Sequence, residues 1–221
     1  MKTINLLFLA IVLLVVACNS SNKNETENSD KKIAESKNDD KTEVKKGNDE
    51  ISVKHIYKVE SGYIKFKTNT AGIDMTRELW FDDFGNKQYE ENYMLIMDEK
   101  HGSKSLILDG FSYSWDLDAE QGTKMKFYAA VTDYDNVSEK DIEKYGIKKH
   151  GHEDVLGKEC LKVSTEEPVK SNIWMWNNIP LKTEAEFGGE PVLMEAVEIN
   201  IGKVDAAKFT LPDNIEFVDY P

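Results

Sequence analysis

Apolar and polar residues alternate in short runs from about residue 51 to the C-terminus, the period-two pattern of half-buried strands. Runs rich in Val, Ile, Tyr and Phe predict strands at 53–59, 62–68, 73–81 and 89–97. Asp82-Asp83-Phe84-Gly85-Asn86 reads as the turn that ends the third, and the polar stretch 98–103 reads as a loop after the fourth. Residues 105–117 read as two strands parted at Asp109-Gly110. In the second of these, Phe111, Tyr113, Trp115 and Leu117 point one way, while Ser112, Ser114, Asp116 and Asp118 point the other. Gln121-Gly122 reads as a turn into a strand at 124–128. Further strands are predicted at 151–156, 158–165, 172–176 and 192–201, with Gly157 and Pro168 as breaks and 215–218 as an edge segment.

One helix interrupts the series. Ser138-Glu139-Lys140-Asp141 has the form of a capping box, Ile142 and Tyr145 share a face, and Gly146 can end the helix. Short links between successive strands favour an antiparallel meander. The expected class is therefore mainly β with minor α: one long, curved antiparallel sheet and a short helix.

The N-terminus follows a different pattern. Lys2 precedes an unbroken apolar run at 6–17, which has the build of a signal peptide and is too short to span a bilayer. Val15-Val16-Ala17-Cys18 resembles the bacterial lipobox. That resemblance implies cleavage before Cys18 and acylation of its thiol, and two or three chains there make a durable membrane anchor. Residues 19–50 are dominated by Asn, Ser, Lys, Asp, Glu and Thr, with Ile33, Ala34 and Val44 the only aliphatics and no aromatic. Such a segment buries too little apolar surface to offset its ordering entropy, so it reads as a tether. As a flexible coil it would reach about 30 Å. The expected organisation is a leader at 1–17, a lipidated cysteine and polar tether at 18–50, and one β domain at 51–221.

Composition narrows the function classes. The formal net charge is −13, which argues against nucleic acid and against broad adhesion to anionic lipid. With Cys18 acylated, Cys160 has no partner in the chain, so no disulfide framework is expected. Cys160 lies in an alternating stretch and reads as a small core hydrophobe.

Catalytic signatures are weak. The chain has no Gly-rich phosphate loop, no Ser-centred nucleophile elbow and no Cys-x-x-Cys. His150 and His152 stand two apart, so on a regular strand both imidazoles would face one side, as a shared metal needs. No third ligand stands out, and a solvated edge strand is the stronger reading. Asp116 and Asp118 share a strand face and read as solvated acids beside a turn. No metal, no catalytic residue and no cofactor is assigned.

Aromatic and methionine positions are more informative. Trp80, Trp115, Trp174 and Trp176 fall in predicted strands, and several strands are apolar on both faces, notably 93–97 and 172–176. One face can then pack as core while the other lines a concave apolar surface. Tyr113, Trp115, Met125, Trp174, Trp176 and Met194 are the candidate cavity-lining residues.

Four stretches carry a wider resemblance: 77–87 (Arg77-Glu78-Leu79-Trp80-Phe81 and the turn after it), 107–118 followed by Gln121-Gly122-Thr123-Lys124, 155–160, and 174–182. They resemble the LolA/LolB-like group of lipoprotein carriers and receptors. The resemblance implies an incomplete antiparallel β-barrel with an apolar cavity for acyl chains. It further implies a cell-envelope protein, lipid-anchored and at the outer membrane facing the periplasm or surface. The expected role is non-enzymatic: binding an acyl chain or another hydrophobic ligand in a β-cradle, with the membrane as partner through the anchor. Two alternatives remain open, a protein-interaction or scaffold lipoprotein with a filled core and a metal-assisted hydrolase using His150 and His152.

Overall fold

The computed structural model describes residues 55–129 and 133–220. The expected leader (1–17), the Cys18 acylation site and the tether (18–50) lie outside the described residues, as does the start of the domain expected at 51. The described residues form twelve strands: β1 (Gly62–Thr70), β2 (Ile73–Asp82), β3 (Lys87–Ile96), β4 (Glu99–Leu108), β5 (Phe111–Asp116) and β6 (Gln121–Lys126), then β7 (Lys148–Val155), β8 (Lys158–Thr165), β9 (Ser171–Trp176), β10 (Ile179–Phe187), β11 (Glu190–Ile201) and β12 (Glu216–Asp219). An α-helix, α1 (Glu139–Tyr145), lies between β6 and β7.

The strands form a single sheet in the order β12-β6-β5-β4-β3-β2-β1-β11-β10-β9-β8-β7. The sheet is curved and does not close, as the mainly-β reading expects. Register shifts break three of its ladders, at Lys65/Phe66, Pro180/Lys182 and Lys149/His152, and each such bulge adds local twist. Among the described residues all pairings are antiparallel except β12 with β6, a parallel edge.

Two-residue turns drive this topology. Met97-Asp98, Asp109-Gly110, Leu156-Gly157 and Asn177-Asn178 each have positive φ at both residues. That is the type I′ geometry whose twist matches flanking strands. The helix ends as its sequence predicts. Ser138 Oγ accepts from the Asp141 N–H at 3.1 Å, and Gly146 closes the C-terminus with φ 61°.

The structure corrects four element readings. Residues 55–60, the described part of the strand expected at 53–59, are a bent segment. Ile56 and Tyr57 there are buried, and both donate their N–H to the Phe84 carbonyl. The stretch read as a loop at 98–103 is mostly β4. Its first residues, Glu99-Lys100-His101, are polar on both faces because neither face is deeply buried there. Gly122 is inside β6 rather than in a turn: a Cβ there would lie 2.7 Å from the Phe217 ring, so its lack of a side chain lets β12 pair alongside. β10 is absent from the strands expected from sequence. Pro180 is tolerated where it stands, at the bulge against β9.

Two apolar clusters hold the sheet. The larger gathers Ile64, Phe66, Leu79 and Phe81 with Leu181, Met194 and Ala196, and takes in Cys160 and Trp174. The smaller gathers Tyr89, Leu106, Tyr113, Trp115 and Phe209. Cys160 is fully buried, and burial pushes its thiol up to about 11. This fits the core role expected for it. Beside the larger cluster Arg77 makes a forked ion pair, Nε to Glu90 Oε2 at 3.0 Å and Nη2 to Glu90 Oε1 at 2.6 Å. Burial alone pulls the Arg77 pKa down, and the Glu90 carboxylate more than offsets it, so the net direction is up.

Candidate functional site

The hairpin registers place five large side chains in one line across the sheet: Tyr63 opposite Trp80, Trp80 opposite Tyr89, Tyr89 opposite Leu106, and Leu106 opposite Tyr113. Directly opposed residues share a face, so this is a continuous apolar row. Ring centroids are 5.0 Å apart for Tyr63–Trp80 and 5.5 Å for Trp80–Tyr89, both tilted. Trp115 continues the aromatic surface, 6.5 Å from Tyr89 and 5.6 Å from Phe217.

A second, charged row runs beside the first by the same registers: Lys65, Glu78, Glu91 and Lys104. The two rows are joined by phenol hydroxyls. Tyr63 donates to Glu78 Oε1 at 3.1 Å, and Tyr89 donates to Glu91 Oε1 at 2.7 Å. For both tyrosines desolvation, then the hydrogen bond to the carboxylate, raises the pKa. Burial alone would raise the Glu91 pKa. The Tyr89 hydrogen bond and Lys104, Lys100 and Lys208 outweigh it, so Glu91 titrates below the usual carboxylate range.

The C-terminal segment 203–215 lies across this face as a strap. Its backbone meets the sheet at its two ends, where the Gly202 N–H donates to the Ser61 carbonyl at 3.1 Å and the Glu216 N–H donates to the Glu120 carbonyl at 3.0 Å. Between them a 3-10 turn, Ala206–Phe209, is capped by Asp205 Oδ1 accepting from the Ala207 N–H. Phe209 is buried in the smaller cluster, and Val204, Leu211 and Ile215 pack against it. The cap and turn aim Lys208 at the aromatic row: its Nζ stands 3.8 Å from the Trp80 ring centroid and 5.3 Å from that of Tyr89.

Two clefts flank Lys208. One, of about 420 Å³, has Tyr63, Trp80, Ile201 and Val204 among its walls, with Lys203 and Asp205 nearby. It is the more apolar of the pair. The other, of about 240 Å³, lies between Tyr89, Trp115, Leu117 and Ile215, with Lys104 and Asn214 as polar groups. The larger falls inside the usual range of ligand pockets, about 300 to 1,000 Å³, and the smaller just below it.

The six residues proposed from sequence as cavity lining do not gather in one place. Tyr113 and Trp115 are buried in the smaller cluster, and Trp115 lines the lesser cleft. Met125 is exposed on β6. Trp174, Trp176 and Met194 belong to the larger cluster. Trp174 is sandwiched by the Lys162 and Lys182 ammonium groups at 4.7 and 4.6 Å and donates Nε1–H to Glu153. The residues missed were Tyr63, Trp80 and the strap. A signal for the first two existed: a two-residue turn at Ala71-Gly72 sets Tyr63 opposite Trp80 by counting outward. Nothing local signals which sheet face a C-terminal segment will cover.

The bulge at Lys149/His152 separates His150 and His152, which a regular strand would put on one side. Lys149 opposes Val163 and His152 opposes Leu161, so Lys149 and His152 share a face and His150 looks the other way, toward Ser164 Oγ at 2.8 Å. Among the described residues no group of three His, Cys, Asp or Glu side chains is placed to hold a metal ion. Among the same residues no helix is long and apolar enough to cross a membrane.

No protein-family model matches the chain, and no curated protein does. Solved structures do resemble it. An uncharacterized conserved protein from Thermus thermophilus aligns with a TM-score of 0.53 at 9% identity, over 73% of this chain and 91% of that one. The MucA/MucB complex of Pseudomonas aeruginosa gives 0.46 at 14% identity, over 70% and 56%. A putative outer membrane lipoprotein-sorting protein domain from Vibrio parahaemolyticus gives 0.32 at 10% identity, over 68% and 89%. The first likeness shows a shared fold, and the weaker two carry no weight for function.

Proposed function

We propose that this chain is a lipid-anchored protein of the bacterial cell envelope, non-enzymatic, that holds an acyl chain or another hydrophobic ligand against the aromatic face of its curved sheet. The observation that carries the reading is the cleft of about 420 Å³ beside the strap, walled by Tyr63, Trp80, Ile201 and Val204. Apolar surface there is open at the strap's margin, and each Å² that a ligand covers is worth about 25 cal/mol before ordering costs. Trp115 extends the same face and lines the second cleft. Trp174, Trp176 and Met194 hold the sheet in shape in this proposal, and Met125 has no part in it. Acylation of Cys18, the tether at 18–50 and an outer-membrane location belong to the proposal on the strength of the leader sequence.

The test uses the secreted chain with Cys18→Ser, which cannot be acylated. Native mass spectrometry should find co-purified lipid, and a fluorescent fatty acid should bind saturably and be lost in Trp80→Ala. A protein that retains no lipid and binds no hydrophobic probe would sink the reading. For the anchor, incorporation of labelled palmitate by the unaltered chain should vanish in Cys18→Ser. Equal labelling of both would refute acylation at that residue.

A further inference from the structure

Lys208 is placed as a ligand would be. Its ammonium sits 3.8 Å above the Trp80 ring and 5.3 Å from Tyr89, and Tyr63 stands on the far side of Trp80. Two of these electron-rich rings, Trp80 and Tyr89, hold the ammonium, and Tyr63 extends the row, an open cage of the kind that attracts cations through the ring quadrupole. Beside the rings, on the same sheet face, stand two carboxylates. Glu78 and Glu91 accept the phenol hydrogens of Tyr63 and Tyr89, which makes the rings richer donors of negative potential. Lys65 offsets part of the Glu78 charge at 3.3 Å, and Lys100 and Lys104 offset part of the Glu91 charge at 3.6 and 3.9 Å. The clefts on both sides of Lys208 give a ligand access to the rings without unfolding the sheet.

We infer that the Tyr63–Trp80–Tyr89 row is a recognition site for an organic ammonium group, and that Lys208 on the strap is its internal occupant. A ligand's ammonium enters by displacing Lys208 from Trp80, and the strap then carries the lysine out to solvent. The inference names the polar end of the ligand proposed above and rests on that reading only for the apolar tail. A quaternary ammonium suits the cage better than a primary one, since it gives up less hydration when placed against aromatic faces. No bond forms or breaks in the exchange.

The experiment titrates the full chain with small probes below their micelle concentrations, reading tryptophan fluorescence. The probes are tetramethylammonium, dodecyltrimethylammonium, dodecyl sulfate and dodecyl maltoside. Unaltered protein should bind dodecyltrimethylammonium more tightly than the maltoside and the sulfate. Lys208→Ala vacates the rings and should bind tetramethylammonium about tenfold more tightly than unaltered protein does. Trp80→Phe keeps an apolar ring with a weaker quadrupole, so it should lose more affinity for dodecyltrimethylammonium than for the maltoside. Two results overturn the inference: preference for the sulfate, which would make the lysines anion readers, or no gain of tetramethylammonium binding in Lys208→Ala. If tetramethylammonium binds Lys208→Ala and the maltoside binds nothing, the cage stands and the tail reading fails. If the maltoside binds as well as dodecyltrimethylammonium and tetramethylammonium binds neither protein, the cage fails and the tail reading stands.

Discussion

Phe209→Ala tests whether the strap is a separately held lid or part of the global core. Phe209 is 8% exposed and touches the cluster of Tyr89, Leu106, Tyr113 and Trp115. Truncating a buried Phe removes transfer energy and leaves a cavity, together about 3 to 5 kcal/mol. Where that loss appears is the informative part. Between Gly202 and Glu216 the strap's described backbone bonds are local to its own turn, as in the Lys208 N–H to Asp205 carbonyl bond at 3.0 Å. Side-chain burial therefore holds the middle of the strap, and Phe209 is its buried anchor. The strap should open locally at a cost well below global unfolding. In Phe209→Ala, hydrogen exchange of amides 203–215 should accelerate by roughly a hundredfold or more, the equivalent of about 3 kcal/mol. Amides of β1, β2 and β11 should keep their protection. Binding of the hydrophobic probe should become faster, because the aromatic row is uncovered. Uniform loss of protection across all strands, with strap and sheet falling together, would refute the lid. Unchanged exchange in 203–215 would refute the anchor.

Two further outcomes follow from close packing and from charge. Gly102 on β4 faces Tyr93 so tightly that an added Cβ would run into the Asn92 carbonyl and the Tyr93 Cα. Backbone cannot step aside as a flexible side chain can, so Gly102→Ala should cost about 3 kcal/mol or more in urea denaturation; a loss under about 0.5 kcal/mol would show that β3 and β4 separate freely there. Glu91 titrates below the ordinary carboxylate range, so its ionised form is favoured by folding. The stability it adds is fully present above the carboxylate's unfolded value and is lost as pH falls through its lower folded value. Chemical denaturation between about pH 3 and 6 should thus show a shallower acid decline for Glu91→Gln than for unaltered protein, and parallel declines would remove Glu91 from the acid limb.

Local signals carried most of the secondary structure. Period-two alternation marks β1, β2, β5, β8 and β11, and positive-φ turns at Asp109-Gly110 and Leu156-Gly157 fall where Gly permits them. Ser138 and Gly146 bound α1 because capping is a contact within four residues. The readings that failed have separate physical causes. At Gly122 and Pro180 the deciding partner is distant in sequence or is a bulge: Phe217 for one, the β9 ladder for the other. At 98–103 the strand is polar on both faces, so no alternation marks it. His150 and His152 parted because a single inserted residue reverses facing and leaves no trace in composition.

The sequence alone determined the chain's class, the alternation of its strands, its capped helix and the core character of Cys160. These depend on residues near one another in the chain. Only the tertiary structure decided that Tyr63, Trp80 and Tyr89 form one row, that the strap lays Lys208 upon it, and that Trp174 and Met194 serve the core. Pairing register and the choice of sheet face are set by which long-range burial wins. That competition involves side chains more than a hundred residues apart, such as Trp80 and Lys208, whose meeting no local pattern records.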